Sequence, residues 1–230
     1  MACILNIDTS TDICSICVSE NGANIYDREN REKNNHSTAL APMIHDALLY
    51  MRHFGSEIEA VAVSFGPGSY TGLRIGVSEA KGLAYGLNVP MISVPTLEIL
   101  AVPLLLYREL PDNALLCPMV DARRMEVYDA VYDKALRQVR KTSADVVTED
   151  TFAELLDNHP VYFFGNGAMK CQSVISHPNA NFIEDIVPLA SNMYPLSEKK
   201  FAYGDFVDTA YSEPFYLKDF VATTPKKNIL

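Results

Sequence analysis

The sequence contains no apolar run long enough to cross a lipid bilayer. Its longest apolar stretches, such as residues 99–107, fall well short of the roughly 20 residues that a membrane helix needs, and proline interrupts them. The first ten residues, MACILNIDTS, lack the basic region and the small-residue cleavage site of a signal peptide. We therefore expect a cytoplasmic protein without a membrane segment.

Cysteine and positive charge are also scarce. The five cysteines are odd in number and scattered along the chain, a pattern typical of reduced thiols in the cytosol. Lys and Arg number 19 against 29 Asp and Glu, so the net charge is −10 at pH 7. Because nucleic-acid affinity depends largely on Lys and Arg neutralising phosphates, we expect this chain alone to bind RNA weakly.

Recognisable catalytic motifs are missing as well. The five histidines include no His-x3-His pair that could hold a metal ion, and no Gly-x-Ser-x-Gly nucleophile elbow occurs. The sequence therefore predicts no catalytic residue and no metal site.

What is present indicates a globular α/β protein, since 48% of the residues are hydrophobic and 21% are charged. Alternation and turn signals predict strands at residues 3–8, 13–18, 23–28, 60–65 and 90–94. Apolar residues at helical spacing predict helices at 36–51, 70–87 and from 96 toward 107. Ser37 or Thr38 is expected to cap the first of these helices, with an irregular start at Pro42. This order of elements matches one half of an actin-like or ribonuclease-H-like fold.

The second half repeats this pattern weakly. We predict strands at residues 115–121, 126–132, 138–141 and 161–164, and helices at 149–158 and 167–176. The fold class is then α/β, with two actin-like (ASKHA, ribonuclease-H-like) domains, each a mixed sheet with flanking helices, the second degenerate. We place the domains at residues 1–108 and 109–230, because charge, Pro111 and Asn113 interrupt the apolar pattern between them. Residues 213–230 have no helical period and are expected to form an extended strap.

Two segments could contact a phosphate. The loop FGPGSYTGLRIG, residues 65–76, is neither a Walker A loop nor a full dinucleotide fingerprint, but its backbone N–H groups at Gly68, Ser69 and Thr71 could bind an anion at a helix N-terminus. A purely structural strand-to-helix turn is the alternative. Asp8, Thr9 and Ser10 follow the first strand, where actin-like ATPases place a phosphate loop; alternatively, Asp8 simply caps a turn.

Small residues recur along the second predicted helix, at Gly72, Gly76, Ala80 and Ala84. Glycine inside a helix costs about 1 kcal/mol relative to alanine, so a compensating role is expected. A stripe of small side chains lets another backbone approach closely. The neighbour could be another helix of this chain or a helix of another chain.

Five segments together resemble the TsaB (YeaZ) family of bacteria: ILNIDTST, HSTALAPMI, FGPGSYTGLRIG followed by SEAKGLAYG, VDARRMEVYDAVY and EPFYLKD. The resemblance spans nearly the whole chain. It implies the two-domain actin-like fold and a role in forming N6-threonylcarbamoyladenosine (t6A) at position 37 of tRNAs that read ANN codons.

The resemblance implies that TsaD is the metal-binding catalytic relative and that TsaB is its non-catalytic partner. It also implies that the ATPase TsaE supports turnover. The expected partners are therefore TsaD and, in a larger complex, TsaE; contact with tRNA would be indirect. No cofactor is expected, except ATP or ADP within the complex.

The resemblance also places the partner interface on the first two helices. The residues it implies are His36, Leu40, Met43, Ile44, Ala47, Tyr70, Gly72, Arg74, Gly76, Ala80 and Ala84. A homodimer through the same helices is expected when TsaD is absent. One rival hypothesis is a small actin-like ATPase that uses Asp8 and the loop of residues 66–72. A peptidase is disfavoured, because no nucleophile, base and orienting group occur at a recognisable spacing.

Overall fold

The computed structural model describes residues 2–218; residues 219–230, the end of the predicted strap, lie outside the described part. The first half contains β1 (Cys3–Asp8), β2 (Cys14–Glu20), β3 (Ala23–Asn30), α1 (His36–Phe54), β4 (Ala60–Ser64), α2 (Tyr70–Leu87), β5 (Met91–Val94) and α3 (Thr96–Tyr107). The second contains β6 (Leu115–Asp121), β7 (Glu126–Tyr132), β8 (Gln138–Val146), α4 (Ala153–Asn158), β9 (Val161–Phe164), α5 (Ala168–Cys171), β10 (Ala180–Ile183) and α6 (Ala190–Tyr203).

The predicted order of the first half is confirmed, with two corrections at α1. The helix runs three residues beyond the predicted end, to Phe54. Its cap is Asn35 rather than Ser37 or Thr38, and the Thr38 hydroxyl instead donates to the Asn35 carbonyl oxygen at 3.0 Å. In the second half, α4 and α5 are shorter than predicted, β8 is longer, and β10 and α6 were not predicted at all.

The two halves repeat one topology. Among residues 2–218, the first sheet has the order β3-β2-β1-β4-β5 and the second has the order β10-β9-β6-β7-β8, which is the same order read from the opposite edge. In each half, an antiparallel meander is followed by strands that pair in parallel with the first strand or with each other. The predicted fold class, with a degenerate second copy, is therefore confirmed.

A short motif marks the same place in both copies. Phe-Gly-Pro-Gly follows β4 at residues 65–68, and Phe-Gly-Asn-Gly closes β9 at residues 164–167. Gly66 and Gly165 have φ angles of 105° and 99°, a left-handed conformation that favours glycine. Each chain segment thus leaves its parallel strand through a glycine with a positive φ angle.

Helices cover both faces of the first sheet. The apolar sides of α1 and α2 pack on one face, while α3 and α6 pack on the other. Helix α3 also supplies Leu97, Leu100 and Leu104 to a core shared with the second sheet, so it lies between the two sheets. The domain division between residues 108 and 109 stays a prediction. Helix α6 comes after the second sheet in the sequence, but it packs on the first sheet. Within residues 2–218, no helix combines the length and apolar character needed to cross a membrane.

Candidate functional site

The two candidate phosphate loops contact each other. The Ser69 backbone N–H donates to the Ser10 carbonyl oxygen at 2.7 Å, and the Thr9 hydroxyl donates to the Gly72 carbonyl oxygen at 2.8 Å. The Ser69 hydroxyl accepts from the Gly72 N–H at 3.2 Å and so caps α2. The start of α2 is therefore held against the loop that follows β1.

Three glycines allow this close approach. A Cβ atom added at Gly68 would lie 2.3 Å from the Ser10 carbonyl oxygen, and one at Gly72 would lie 2.1 Å from the Thr9 carbonyl oxygen. At Gly76 it would lie 2.2 Å from the Thr9 hydroxyl oxygen. The small residues at Gly72 and Gly76 therefore serve close packing against a loop of the same chain. Contact of the stripe with a helix of another chain stays a prediction.

The contact between the loops leaves no open phosphate site at Asp8. Asp8, Thr9 and Ser10 are each 0% exposed. The Asp8 carboxylate accepts from the Ser10 N–H at 3.2 Å and from the Ser10 hydroxyl at 3.1 Å. Asp8 thus caps the turn after β1, and the nucleotide contact of Asp8, Thr9 and Ser10 stays a prediction. Of the other predicted anion-binding residues, Ser69 and Thr71 are exposed, while Gly68 faces Ser10.

Burial of Asp8 predicts a specific dependence of stability on pH. Burial raises the pKa of Asp8 to about 7, and hydrogen bonds from Ser10 and Ser64 oppose that rise only in part. Between about pH 4 and pH 7 the folded state keeps a proton on Asp8 that the unfolded state loses. The free energy of unfolding contributed by this group therefore falls as the pH rises through that window, by at most about 1.4 kcal/mol per pH unit.

Asp8→Asn tests this dependence, because asparagine keeps the acceptor oxygen and cannot ionise. We expect the variant to gain stability relative to wild type as the pH rises from about 5 to about 8, measured by urea unfolding at each pH. A difference between the two proteins that stays constant with pH would contradict the assignment.

Most of the residues predicted for the partner interface lie inside the chain. Met43 and Tyr70 are partly buried, Arg74 is exposed, and the remaining eight are buried: His36, Leu40, Ile44, Ala47, Gly72, Gly76, Ala80 and Ala84. The reason is that the apolar stripe of each helix faces the first sheet. In the chain alone these eight residues therefore belong to the core, and their place in a partner interface stays a prediction. His36, for example, contacts the Thr11 carbonyl oxygen at 2.9 Å through Nε2.

A different part of α1 and α2 is free for contact with another molecule. Gly82 and Gly86 have nothing within 4 Å of an added Cβ atom, so nothing in the described chain requires glycine there. Between them, Tyr85 is 85% exposed, and α1 presents Leu49 and Phe54, which are 53% and 64% exposed. We call these five residues the α1/α2 surface; they are exposed on the two helices, and Phe54 packs on Tyr50, which contacts Tyr26 of β3. Helices α1 and α2 contact each other and pack on the same face of the sheet.

The sequence contains a signal for this surface. Gly82 and Gly86 are spaced four residues apart, but they are out of register with the stripe that begins at Gly72. Two glycines on an exposed helix face cost helix stability, and no packing within the described chain offsets it. The α1/α2 surface is therefore the better candidate for close approach by a partner.

The strap joins the two halves. Residues 213–218 contain no helix or strand. The Phe215 N–H donates to the Phe65 carbonyl oxygen at 2.7 Å, and the Tyr216 ring lies 4.7 Å from the Tyr70 ring. Lys218 then forms an ion pair with Glu126 of the second sheet. The strap thus runs from the start of α2 to β7.

Metal ligands do not gather in the described part of the chain: within residues 2–218, no group of three or more His, Cys, Asp or Glu side chains could hold a metal ion. Whether the protein works with a metal or a cofactor stays a prediction.

Comparison with known sequences gives consistent matches. The family described as "TsaD: tRNA N6-adenosine threonylcarbamoyltransferase" matches residues 30–222. The chain is 30% identical over 230 residues to the "tRNA threonylcarbamoyladenosine biosynthesis protein TsaB" of Escherichia coli K12, covering 95% of this chain and 96% of that protein. It is 33% identical over 166 residues to the Bacillus subtilis protein of the same description, covering 71% and 70%.

Solved structures agree with the sequence matches. "YeaZ from Pseudomonas aeruginosa" aligns with a TM-score of 0.77 at 27% identity, over 94% of this chain and all of that one. A second Pseudomonas aeruginosa structure, described as an uncharacterized protein with similarity to peptidase YEAZ, aligns with a TM-score of 0.80 at 26% identity, covering 95% of this chain and 100% of that one.

Proposed function

Because the chain belongs to the TsaB (YeaZ) family, and so has a role in tRNA threonylcarbamoyladenosine biosynthesis, we propose that it acts there as a non-catalytic subunit that binds TsaD. In this proposal TsaD performs the transfer to adenosine 37, and TsaE joins a larger complex. The observation that carries the proposal is the α1/α2 surface.

The physical argument starts from the cost of Gly82 and Gly86. Each glycine weakens an exposed helix turn by about 1 kcal/mol, and neither relieves a contact within the described chain. Glycine at a helix surface lets a second backbone approach more closely than any other residue does. Tyr85 lies between them and supplies a large exposed side chain of a type that often anchors protein interfaces. Such a surface suits a helix of a partner.

The closed loops at Asp8 support a non-catalytic role. Asp8 has no exposed surface, and the start of α2 packs against Thr9 and Ser10, the two residues that follow it. Any ATP or ADP in the complex would then bind to TsaD or TsaE, or between subunits. The net charge of −10 likewise favours a complex in which TsaD makes the main contact with tRNA.

When TsaD is absent, the same surface is available to a second copy of the chain. Two copies related by a twofold axis would bring identical surfaces together, as in most homodimers. TsaD and a second copy would then compete for one surface.

The test is to mix the protein with its cognate TsaD and measure mass by size-exclusion chromatography with light scattering, with each protein also run alone. We expect a heteromeric species and the loss of any homodimer. TsaE and ATP added to the mixture should raise the mass further. Unchanged separate peaks, with and without ATP, would overturn the proposal.

A further inference from the structure

A cavity of about 330 Å³ lies between the two halves of the molecule. It opens beside the carboxyl ends of the parallel strands β4 and β5, at residues Phe65 and Ser93, and α3 begins at its edge. The second sheet closes it from the other side through β7 and β8, and Phe215 of the strap forms a further wall. In α/β proteins, ligands bind outside the carboxyl ends of parallel strands, and this volume lies in the range of small-molecule sites.

The cavity contains a carboxyl group without a partner. Within residues 2–218, the Glu98 carboxyl group of α3 accepts no hydrogen bond and forms no ion pair, although the residue is half-buried. Burial raises the pKa of Glu98, and the charges of Lys200 and Lys199 oppose that rise. A half-buried carboxyl group of this kind is stabilised when a cation or a hydrogen-bond donor reaches it.

Other polar groups surround Glu98. Tyr132 of β7 is buried in the cavity wall, and its pKa is raised first by burial and then by the nearby charge of Glu98. Gln138 donates to the Thr142 hydroxyl at 3.0 Å, and both side chains line the same wall. The phenol, the amide and the Thr142 hydroxyl thus bond to one another and form a polar wall beside Glu98.

Lys200 of α6 supplies a positive charge to the same cavity. Its Nζ lies 2.6 Å from the Asp205 carboxylate, at the side where α6 ends. The remaining walls are largely apolar and include Leu97, Leu136 and Phe215. The cavity thus combines one acid, one base and an apolar surface.

We propose that this cavity binds a small zwitterion of the amino-acid type, with its ammonium group on Glu98 and its carboxylate on Lys200. A phosphate-bearing ligand fits poorly, because Glu98 would repel it and a single lysine would have to neutralise it. The proposal uses no residue of the α1/α2 surface and does not depend on binding of TsaD.

The test is isothermal titration calorimetry of the full chain with each of the standard L-amino acids at millimolar concentration, and with 1,4-diaminobutane, which has ammonium groups and no carboxylate. We expect saturable binding of at least one amino acid and weaker binding of the diamine. Glu98→Gln and Lys200→Met should each weaken the amino acid about tenfold, since each removes a charge-assisted contact.

Matched controls separate the cavity from general charge effects. Glu109→Gln and Lys33→Met remove the same charges at exposed positions that do not line the cavity, and both should bind as wild type does. The midpoint of urea unfolding shows whether each variant is folded. If Glu98→Gln is unstable, Lys200→Met still tests the cavity. Two results would each overturn the proposal: no saturable heat with any amino acid, or equal affinity in wild type and both cavity variants.

Discussion

Replacing Gly72 with alanine is expected to destabilise the protein by about 3 kcal/mol, because one methyl group must enter a closed backbone contact. The added Cβ would lie 2.1 Å from the Thr9 carbonyl oxygen. That oxygen cannot move aside easily, since Thr9 is buried and its hydroxyl is bonded to the Gly72 carbonyl oxygen. Urea unfolding followed by far-UV circular dichroism measures the loss.

Gly82→Ala is the matched control, because it makes the same chemical change in the same helix. Its Cβ meets nothing within 4 Å, so the variant should gain up to about 1 kcal/mol from helix propensity. Opposite signs for the two variants would establish that α2 carries glycine for two different reasons. Equal stability of Gly72→Ala and wild type would refute the close contact between α2 and the Thr9 loop.

The second large effect is expected on partner binding. Gly82→Leu should leave the chain folded but weaken binding of TsaD by at least about 30-fold, since a leucine side chain holds the partner backbone away from α2. Calorimetric titration with TsaD measures the affinity, and size-exclusion chromatography with light scattering shows whether the complex still forms. The expected effect rests on the proposed function.

The control for Gly82→Leu places the same side chain elsewhere. Lys199 is exposed on α6, which packs on the opposite face of the first sheet from α1 and α2. Lys199→Leu should bind TsaD as wild type does. If Gly82→Leu also binds with unchanged affinity, the partner uses a different surface and the role assigned to the α1/α2 surface is wrong.

The two glycine pairs of α2 show how much helical spacing can say about an interface. Helical spacing identifies which small residues share a face, but it does not say what that face contacts. Gly72 and Gly76 share the buried face with Leu73 and Val77, so the conspicuous stripe is part of the interior. The second pair, Gly82 and Gly86, lies on the exposed face of the same helix.

Helix α6 was missed for a related reason. Of its residues, four are buried: Ala190, Met193, Leu196 and Ser197. Pro195 interrupts the pattern, and the helix gains its stability from packing on β1, β2 and α3 rather than from its own propensity. Strand β10 pairs with β9 and has only four residues. Four residues are too few to show a clear alternation of apolar and polar side chains in the sequence.

The sequence by itself determined the fold class, the order of elements in the first half and the family. It could do so because alternation, helical periodicity and glycine turns are local patterns, and the family motifs are runs of adjacent residues. Only the tertiary structure decided that the Asp8 loop is closed by α2, that the small stripe faces inward, and that Glu98 and Lys200 share a cavity. These facts depend on which distant segments pack together, as Thr9 does with Gly72 and Glu98 with the second sheet, and no local pattern contains that information.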